Sequence, residues 1–293
     1  MNYFESDMTL KIGCIVVLYN PDVPFLLHSI NSVIDQVDCV FASDNSTEQF
    51  DSTFLSNMNV VYEKMPGNVG IAAAQNVGIR YFMEHHFTHI IFLDQDSNME
   101  NGLVKQLLTE MIYLESKSIL VGGVGARPIH RESNKEYRGS AKPGRLIEPD
   151  ITEVSELISS SSLFELKHYP EIGLLDEGLF IDGVDHEWCW RAKMLKGLRF
   201  FISEKAHLSH QVGEGDRFFL IRDVAIPTPF RSYYQFRNYF ILLRRNYVPL
   251  YWKLSNGFKY FIKLFYYPLF VKPRMSYLKK MLLGILDGIF FRK

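Results

Sequence analysis

The sequence HIIFLDQDS, residues 89–97, joins a short apolar run to two aspartates at positions i and i+2. An apolar run of this length is typical of a buried strand, and a strand that ends at two such carboxylates presents both at one edge of a sheet. Open α/β sheets bind their ligands at that edge. Carboxylate oxygens suit Mg²⁺ or Mn²⁺, and the cation would in turn hold a diphosphate. The alternative is a loop with two solvated acids.

The residues before this stretch alternate between strand and helix patterns. Residues 12–19 form an apolar run that ends at Asn20-Pro21, where proline cannot continue a ladder. Apolar residues at helical spacing follow between positions 26 and 37, and residues 39–42 form a second apolar run. Strand, helix and strand with polar residues at each strand exit indicate a βαβ unit and therefore an α/β protein.

Residues 67–78, GNVGIAAAQNVG, are rich in small side chains. Small residues allow a backbone or a ligand to approach closely, and a helix that begins near Gly70 would direct its N-terminal amides at an anion. The alternative is a helix start that is merely well packed.

The segments after the Asp-x-Asp stretch are more polar. Residues 127–150 contain prolines and glycines, which predicts a long surface loop. Residues 158–164, ISSSSLF, predict a strand whose small side chains line a cleft, with a short linker as the alternative.

Asp185 stands where an apolar stretch turns into a helix that continues to about Lys196, so it serves either as a helix cap or as a base. Residues 199–203 form another strand pattern, and His207 and His210 follow. Histidines at i and i+3 of an extended segment face different sides. They are therefore not a ready-made metal pair, although one of them can join a cation held by the aspartates.

The charge of the chain is unevenly distributed. The formal net charge is -1, but residues 231–293 contain thirteen Lys and Arg against one acid, Asp287, a net charge of +12. Two apolar helical stripes, at 258–265 and 278–289, run beside lysines. Basic amphipathic helices with many aromatic residues indicate attachment to an anionic membrane surface. Packing onto the preceding domain and an oligomer interface remain alternatives, and nucleic acid is disfavoured because no nucleic-acid motif is present.

The composition is that of a globular protein. The chain has 293 residues, 47% of them hydrophobic, enough for one large domain or one domain with an appendage. We expect a catalytic domain over residues 1–230 and a basic helical tail over 231–293. Three widely spaced cysteines argue against a disulfide framework, and no stretch approaches the ~20 apolar residues of a spanning helix. We therefore expect a cytoplasmic protein.

In their order and spacing, motifs between residues 12 and 246 resemble family 2 glycosyltransferases of the GT-A fold, most closely the bacterial rhamnosyltransferase branch. The motifs are VVLYNP at 16–21, DNS at 44–46, GNVG to NVG within 67–78, DQD at 94–96, and GLLD at 173–176 through Asp185 to Arg191. The sequences HQVG at 210–213 and YQFRN at 234–238 fit the same branch. The resemblance implies an α/β fold with a Rossmann-like mixed sheet flanked by helices.

The same resemblance implies roles for individual residues. Asp185 would be the catalytic base, and Mg²⁺ or Mn²⁺ would be held by Asp94, Asp96 and His210. The residues implied on the donor side are Tyr19, Asn20, Asp44, Asn68, Asn76, Asp94 and Gln95. Those implied on the acceptor side are Asp182, Glu187, Trp188, Arg191 and Arg237. The chain has Val184-Asp185 where the family commonly has Glu-Asp, so Asp182 or Glu187 would have to replace the missing carboxylate.

The predicted function is glycosyl transfer with inversion, because one base and no second nucleophilic carboxylate favour single displacement. The resemblance suggests L-rhamnose from dTDP-L-rhamnose as the donor and a polyprenyl-diphosphate-linked or growing polysaccharide as the acceptor, at the inner face of a bacterial membrane. Alternatives are a UDP-sugar donor, a non-catalytic sugar-nucleotide-binding protein, and a nucleotidyltransferase. The last would need a basic loop after the first strand, where this chain has Asn20-Pro21-Asp22.

Overall fold

The computed structural model describes residues 9–130, 144–210, 216–219 and 222–292. The strands in chain order are β1 (Ile12–Leu18), β2 (Cys39–Asp44), β3 (Val60–Lys64), β4 (His89–Asp94), β5 (Ser97–Met99), β6 (Val121–His130), β7 (Arg145–Glu148), β8 (Ile151–Val154), β9 (Ser162–Glu165), β10 (Arg199–His210), β11 (Asp216–Phe219) and β12 (Arg222–Ala225). The helices are α1 (Val23–Val33), α2 (Ile71–Glu84), α3 (Leu103–Ser116), α4 (Tyr169–Ile172), α5 (Val184–Lys196), α6 (Pro229–Leu243), α7 (Leu250–Phe270) and α8 (Arg274–Phe290).

Within these residues one mixed sheet carries the fold. Its strand order is β3-β2-β1-β4-β9-β6-β10-β8-β7, with β5 paired to β10. The first four strands of this order run parallel, whereas β9 pairs antiparallel with both β4 and β6. The mixed sheet flanked by helices that the sequence predicted is therefore confirmed. The carboxyl ends of these parallel strands lie at one edge of the sheet, and the candidate donor-side residues lie at that edge.

Alternate residues of β1 enter the two cores that cover the sheet. Cys14 and Val16 pack with α1 and α3 on one face, and Ile15 packs with α2 and α5 on the other. Helix α2 approaches β1 closely because it has glycine at position 78, where a Cβ atom would lie 2.9 Å from the Ile15 side chain. Close packing is thus one reason for the small residues in this segment.

The predicted surface loop over residues 127–150 is wrong at both ends. Residues 127–130 continue β6 beside β10, and Arg145–Glu148 form β7 beside β8. Polar composition suggested a loop. Hydrogen bonds to β10 and β8, however, satisfy the backbone of residues 127–130 and 145–148 and hold these residues in strands. Residues 131–143 lie outside the described residues.

The serine-rich segment also differs in detail from its prediction. The strand starts only at Ser162, and the backbone before it is irregular, with Ser161 at a φ of 55°. Ser161 donates its amide to the carbonyl of Phe92, so this segment lies against β4 just before the Asp-x-Asp pair.

The last three helices surround a third, smaller core, while Ile241 and Leu242 of α6 pack in the core shared by α2 and α5. Helix α6 contacts α7 and α8 around Phe236, Tyr267 and Met281. The boundary predicted between residues 230 and 231 falls inside α6. In the part of the chain that is described, no helix has both the length and the apolar character needed to cross a bilayer.

Candidate active site

The Asp-x-Asp pair lies where β4 ends and the chain turns into β5. Asp94 is half-buried and Asp96 is exposed. The backbone of Asp94 is held on both sides: its amide donates to Ser160 Oγ at 3.3 Å, and its carbonyl accepts from Ser29 Oγ at 3.1 Å. Two carboxylates on a backbone fixed in this way offer hard oxygen ligands at one edge of the sheet.

The third predicted metal ligand, His210, is the last residue of β10. The register of β10 with β5 pairs His210 with Ser97, the residue after Asp96. The topology thus brings the backbone of His210 beside the Asp-x-Asp turn. Among the described side chains, no three His, Cys, Asp or Glu residues converge as a preformed metal cluster.

Amide side chains join the exits of β1, β2 and β4. The Gln95 side chain accepts from the Tyr19 amide at 2.8 Å and donates to the Tyr19 carbonyl at 3.2 Å. Asn20 Oδ1 accepts from the amides of Thr47 and Glu48 at 3.1 Å each. Gln95 and Asn20 therefore fix the rim of the sheet edge, and the Tyr19 ring stands on this rim with about half its surface exposed (47%).

Asp44 is buried at the end of β2, with 1% of its surface exposed. It accepts from Tyr62 Oη at 2.6 Å, Lys64 Nζ at 2.8 Å and the Ser46 amide at 2.9 Å. Burial acts to raise the pKa of Asp44, but the hydrogen bonds from Lys64, Ser46 and Tyr62 together lower it below its usual value. The predicted donor-side carboxylate is thus an ionised group held by three donors.

The two asparagines of the glycine-rich segment hold loops in place. Asn68 Oδ1 accepts from Asn45 Nδ2 at 3.0 Å and from the Gly70 amide at 3.1 Å. Asn76 is buried, and its side chain exchanges two 3.0 Å hydrogen bonds with the Leu175 backbone. Both were predicted on the donor side, and Asn76 ties α2 to the loop that leads towards Asp185.

The N-terminus of α2 does not face open space. The amides of Ile71 and Ala72 donate to the carbonyl of Phe180, at 2.8 and 3.4 Å. The prediction that these amides point at an anion is therefore wrong, because a backbone carbonyl already satisfies them. The contact instead fixes the loop just before Asp182 and Asp185.

Asp185 lies in the first turn of α5, where the residue preceding the helix is Gly183 at a φ of 83°. Its Oδ1 accepts from the His186 amide at 2.8 Å and its Oδ2 from the Ser159 amide at 3.2 Å. The side chain is half-buried. The serine-rich segment thus orients the predicted base at the N-terminal end of α5.

Asp182 pairs with a residue that the sequence analysis did not identify, Arg231 of α6. The Arg231 Nε and Nη2 atoms lie 2.8–3.1 Å from the Asp182 carboxylate. This hydrogen-bonded pairing raises the pKa of Arg231, and the charges of Asp94 and Asp185 raise it further. Arg231 is therefore electrostatically coupled to the predicted metal ligand Asp94 and to the predicted base Asp185. The only sequence signal for it was Thr228-Pro229, a helix start that places residue 231 in the first turn.

The remaining predicted acceptor-side residues make internal contacts. Glu187, with 1% of its side chain exposed, pairs with Arg191 and Arg245 at 2.9 Å each. Trp188 is buried and stacks on Tyr169. Arg237 donates to the Gly178 carbonyl. These contacts connect α5 and the 173–182 loop to α6 and to the segment after it.

A half-open cavity of about 410 Å³ adjoins this buried network. Glu187 and Arg191 line it, but Asp185 does not. Asp185 and Glu187 are two positions apart, so they project from different sides of α5. The cavity and the Asp-x-Asp edge are thus separate features.

A mixed sheet that presents an Asp-x-Asp pair at its edge, with a further aspartate at a neighbouring helix start, is the arrangement expected of a nucleotide-sugar transferase of the GT-A type. The chain belongs to glycosyltransferase family 2. Residues 14–158 match the profile of that family, described as Glycosyl transferase family 2. The chain is also 32% identical to dTDP-rhamnosyl transferase RfbF of Shigella flexneri over 296 residues, which cover 96% of each protein. It is therefore a glycosyltransferase that uses a nucleotide-sugar donor.

Solved structures with low sequence identity share the fold. Staphylococcus aureus TarS 1-349 in complex with UDP-GlcNAc superimposes with a TM-score of 0.58 at 14% identity, covering 96% of this chain and 82% of the TarS 1-349 chain. GalNAc-T7 with UDP, GalNAc and Mn²⁺ gives 0.57 at 14% identity, covering 91% of this chain. This chain spans 58% of the GalNAc-T7 chain. The predicted GT-A fold is confirmed.

Proposed function

We propose that this protein transfers L-rhamnose from dTDP-L-rhamnose to a lipid-linked glycan, with inversion at the anomeric carbon. One observation carries the choice of donor: the 32% identity to a dTDP-rhamnosyl transferase extends over 96% of both chains. The identity thus includes the helical region as well as the sheet edge. The geometry supports the chemistry, because the candidate donor residues and Asp185 belong to elements tied together by direct hydrogen bonds.

In the proposed reaction Asp185 accepts the proton of the acceptor hydroxyl as that oxygen attacks the anomeric carbon. The new bond joins the acceptor oxygen to the sugar, and the bond from the sugar to the diphosphate breaks, so that dTDP leaves. Asp185 is suited to this step because the amides of Ser159 and His186 orient its carboxylate. Asp182, held by Arg231, stands three residues earlier on the acceptor side.

We assign the divalent cation to Asp94 and Asp96, with His210 as the third ligand. Two carboxylates on a fixed backbone match the oxygen ligands that Mg²⁺ and Mn²⁺ prefer, and the strand register brings His210 to the same turn. When bound, the ion would neutralise charge on the departing diphosphate. The chain itself contributes the rigid edge, through the hydrogen bonds of Gln95 and Asn20.

We further propose that α7 and α8 lie on the cytoplasmic face of an anionic membrane. Apolar side chains of α7, each more than half exposed, recur every three or four residues: Leu250, Leu254, Phe258, Phe261, Phe265 and Leu269. They form the α7 stripe. A continuous exposed stripe marks an interaction surface, and the +12 charge of residues 231–293 selects an anionic bilayer as its partner. An acceptor anchored in that bilayer would meet the enzyme at a raised effective concentration.

The test of the donor assignment is calorimetry of the full-length protein with dTDP-L-rhamnose, UDP-GlcNAc and UDP-glucose, each with Mn²⁺ and with EDTA. We expect binding of dTDP-L-rhamnose in Mn²⁺ that is at least tenfold tighter than that of either UDP-sugar and that is lost in EDTA. Tighter binding of a UDP-sugar would contradict the donor assignment. Equal binding in EDTA would contradict the metal assignment alone.

A further inference from the structure

Two basic side chains of the tail lie on neighbouring helices, and one of them holds Asp182 of the 173–182 loop. Arg231 of α6 is paired with Asp182, and Lys263 of α7 contacts Gln235, which follows Arg231 by one turn of α6. Lys263 Nζ donates to Gln235 Oε1 at 3.1 Å and lies 5.4 and 5.8 Å from the ring centres of Tyr260 and Tyr267. We call Arg231 and Lys263 the basic pair.

The ammonium group of Lys263 is in an unfavourable setting. Burial lowers its pKa to about 8; the Asp182 carboxylate opposes this shift, while the positive charges of Lys259 and Arg231 add to it. Among the described residues its hydrogen-bond partner is the neutral Gln235 amide. A half-buried cation with cationic neighbours gains more from an arriving anion than an exposed lysine does, because less solvent screens the interaction.

Arg231 also keeps one edge directed away from Asp182. The hydrogen bonds to the Asp182 carboxylate use Nε and Nη2, so the Nη1 side of the planar guanidinium faces elsewhere. A guanidinium can in this way bridge a carboxylate and a phosphate oxygen at once. Because Arg231 holds Asp182, three residues before Asp185, the bound phosphate would lie near the reacting centre.

The orientation of α7 indicates what kind of molecule would carry the phosphate that the basic pair binds. At about 100° per residue, Lys263 lies nearly half a turn from the centre of the α7 stripe, so the helix presents its apolar stripe and this lysine on opposite sides. A molecule with an apolar chain in the bilayer and a charged head in water matches that arrangement. The donor diphosphate belongs instead to the Asp94 and Asp96 edge, where a cation can hold it.

We propose that Arg231 and Lys263 bind the diphosphate of an isoprenoid-linked acceptor and so place its sugar next to Asp185. This inference rests on the proposed function, since it concerns the acceptor of the same transfer. It makes the tail a part of the acceptor site as well as a membrane attachment. Lys263 is thus a substrate-binding residue contributed by a helix far from the Asp-x-Asp motif in sequence.

The experiment measures binding to the full-length protein with two probes, farnesyl diphosphate without liposomes and dTDP with Mn²⁺. We expect Lys263→Gln to weaken farnesyl diphosphate about tenfold or more, because it removes a charge-assisted contact, and to leave dTDP within about twofold. Lys263→Arg should restore most of the loss. Lys279→Gln, which removes an equal charge from an exposed site on α8, is the matched control and should change neither affinity.

Three outcomes would overturn the inference. Equal loss for both probes would assign the basic pair to the donor diphosphate. An unchanged affinity for farnesyl diphosphate in Lys263→Gln would remove Lys263 from any diphosphate site. An equal loss in Lys279→Gln would show only a general charge effect. Binding of dTDP by the wild type reports on the proposed function independently, so its failure is distinguishable from these results.

Discussion

The donor-side edge of the sheet and the helical tail use apolar residues in opposite ways. At the edge, the strands below Tyr19, Asp44 and Asp94 are buried in two cores, and hydrogen bonds between strand exits hold the rim. In the tail, α7 packs one side around Tyr267 and turns the α7 stripe outward. The first region is preorganised for a small ligand, whereas the second retains apolar area for a large surface.

This difference predicts which property a substitution in each region should change. Substitutions at the edge and around Asp185 should affect chemistry or folding, because the side chains in these regions form hydrogen bonds with other parts of the protein. Substitutions on the α7 stripe should leave both intact and affect attachment. Each of the following predictions tests one side of this contrast.

The largest effect is expected for Asp185→Asn, which keeps the shape of the side chain but cannot accept a proton. Turnover should fall by ~10²-fold or more while donor affinity is kept. Turnover by steady-state assay and affinity by calorimetry separate the two. Asp35→Asn, at an exposed position of the same domain, is the control. If donor binding is lost together with turnover, Asp185 is a structural residue and not a base.

The next effect concerns Glu187, which joins α5 to Arg245 and Tyr247 beyond α6. Glu187→Ala removes a buried carboxylate that Arg191 and Arg245 share, and Arg245 keeps its pair with Asp176. Because two buried cations lose a carboxylate, the free energy of unfolding should fall by about 3 kcal/mol. Denaturant unfolding measures this. Glu171→Ala, which breaks the exposed pair with Lys196, should have no measurable effect. A similar small effect in both variants would show that the two regions are not coupled through Glu187.

The third prediction tests the tail without removing it, because truncation would also delete Tyr247. Leu254→Ser combined with Phe258→Ser should lower partitioning to anionic liposomes at least tenfold, since burying each side chain contributes about 1.5–3 kcal/mol. Leu120→Ser with Leu146→Ser, which removes equally exposed apolar residues from the sheet region, is the matched control. Flotation at low and high salt measures both. Equal flotation of the two double variants would assign the α7 stripe to another role.

The smallest effect is a pH dependence at Asp44. Because its pKa is lowered in the folded state, Asp44 contributes stability that is present above the ordinary carboxyl pKa and is lost as pH falls through the lowered value. The difference in unfolding free energy between wild type and Asp44→Asn should therefore shrink below about pH 4. Unfolding curves from pH 7 to pH 3 test this, and a constant difference would mean that the Lys64 and Tyr62 contacts do not select the ionised form.

The sheet edge was predictable because an apolar run of strand length is visible in the local sequence. Apolar runs before Asn20, Asp44 and Asp94 became β1, β2 and β4, and their parallel order follows from βαβ connections. Strands β6 and β7 were missed at residues 127–130 and 145–148, since their backbone is satisfied by distant partners in β10 and β8 that no local pattern reveals.

The candidate site was predictable as a set of residues but not as a set of contacts. Motif order pointed to Asp185, yet the Ser159 amide that orients it is 26 positions away. The pairing of Asp182 with Arg231 spans 49 positions and crosses the predicted domain boundary. The Asp182–Arg231 contact arises from the docking of α6 on the 173–182 loop. Amphipathic spacing predicts a helix face but gives no information on which neighbour it meets.

Rhamnosyl transfer with inversion determines the configuration of the product, so that configuration is the decisive measurement. The full-length protein would be incubated with dTDP-L-rhamnose, Mn²⁺ and a short isoprenyl-diphosphate-linked glycan, and the anomeric configuration of the new linkage determined by NMR. We expect a rhamnosyl product whose anomeric configuration is opposite to that of the donor. A product with retained configuration, or turnover that occurs with UDP-sugars but not with dTDP-L-rhamnose, would contradict this expectation.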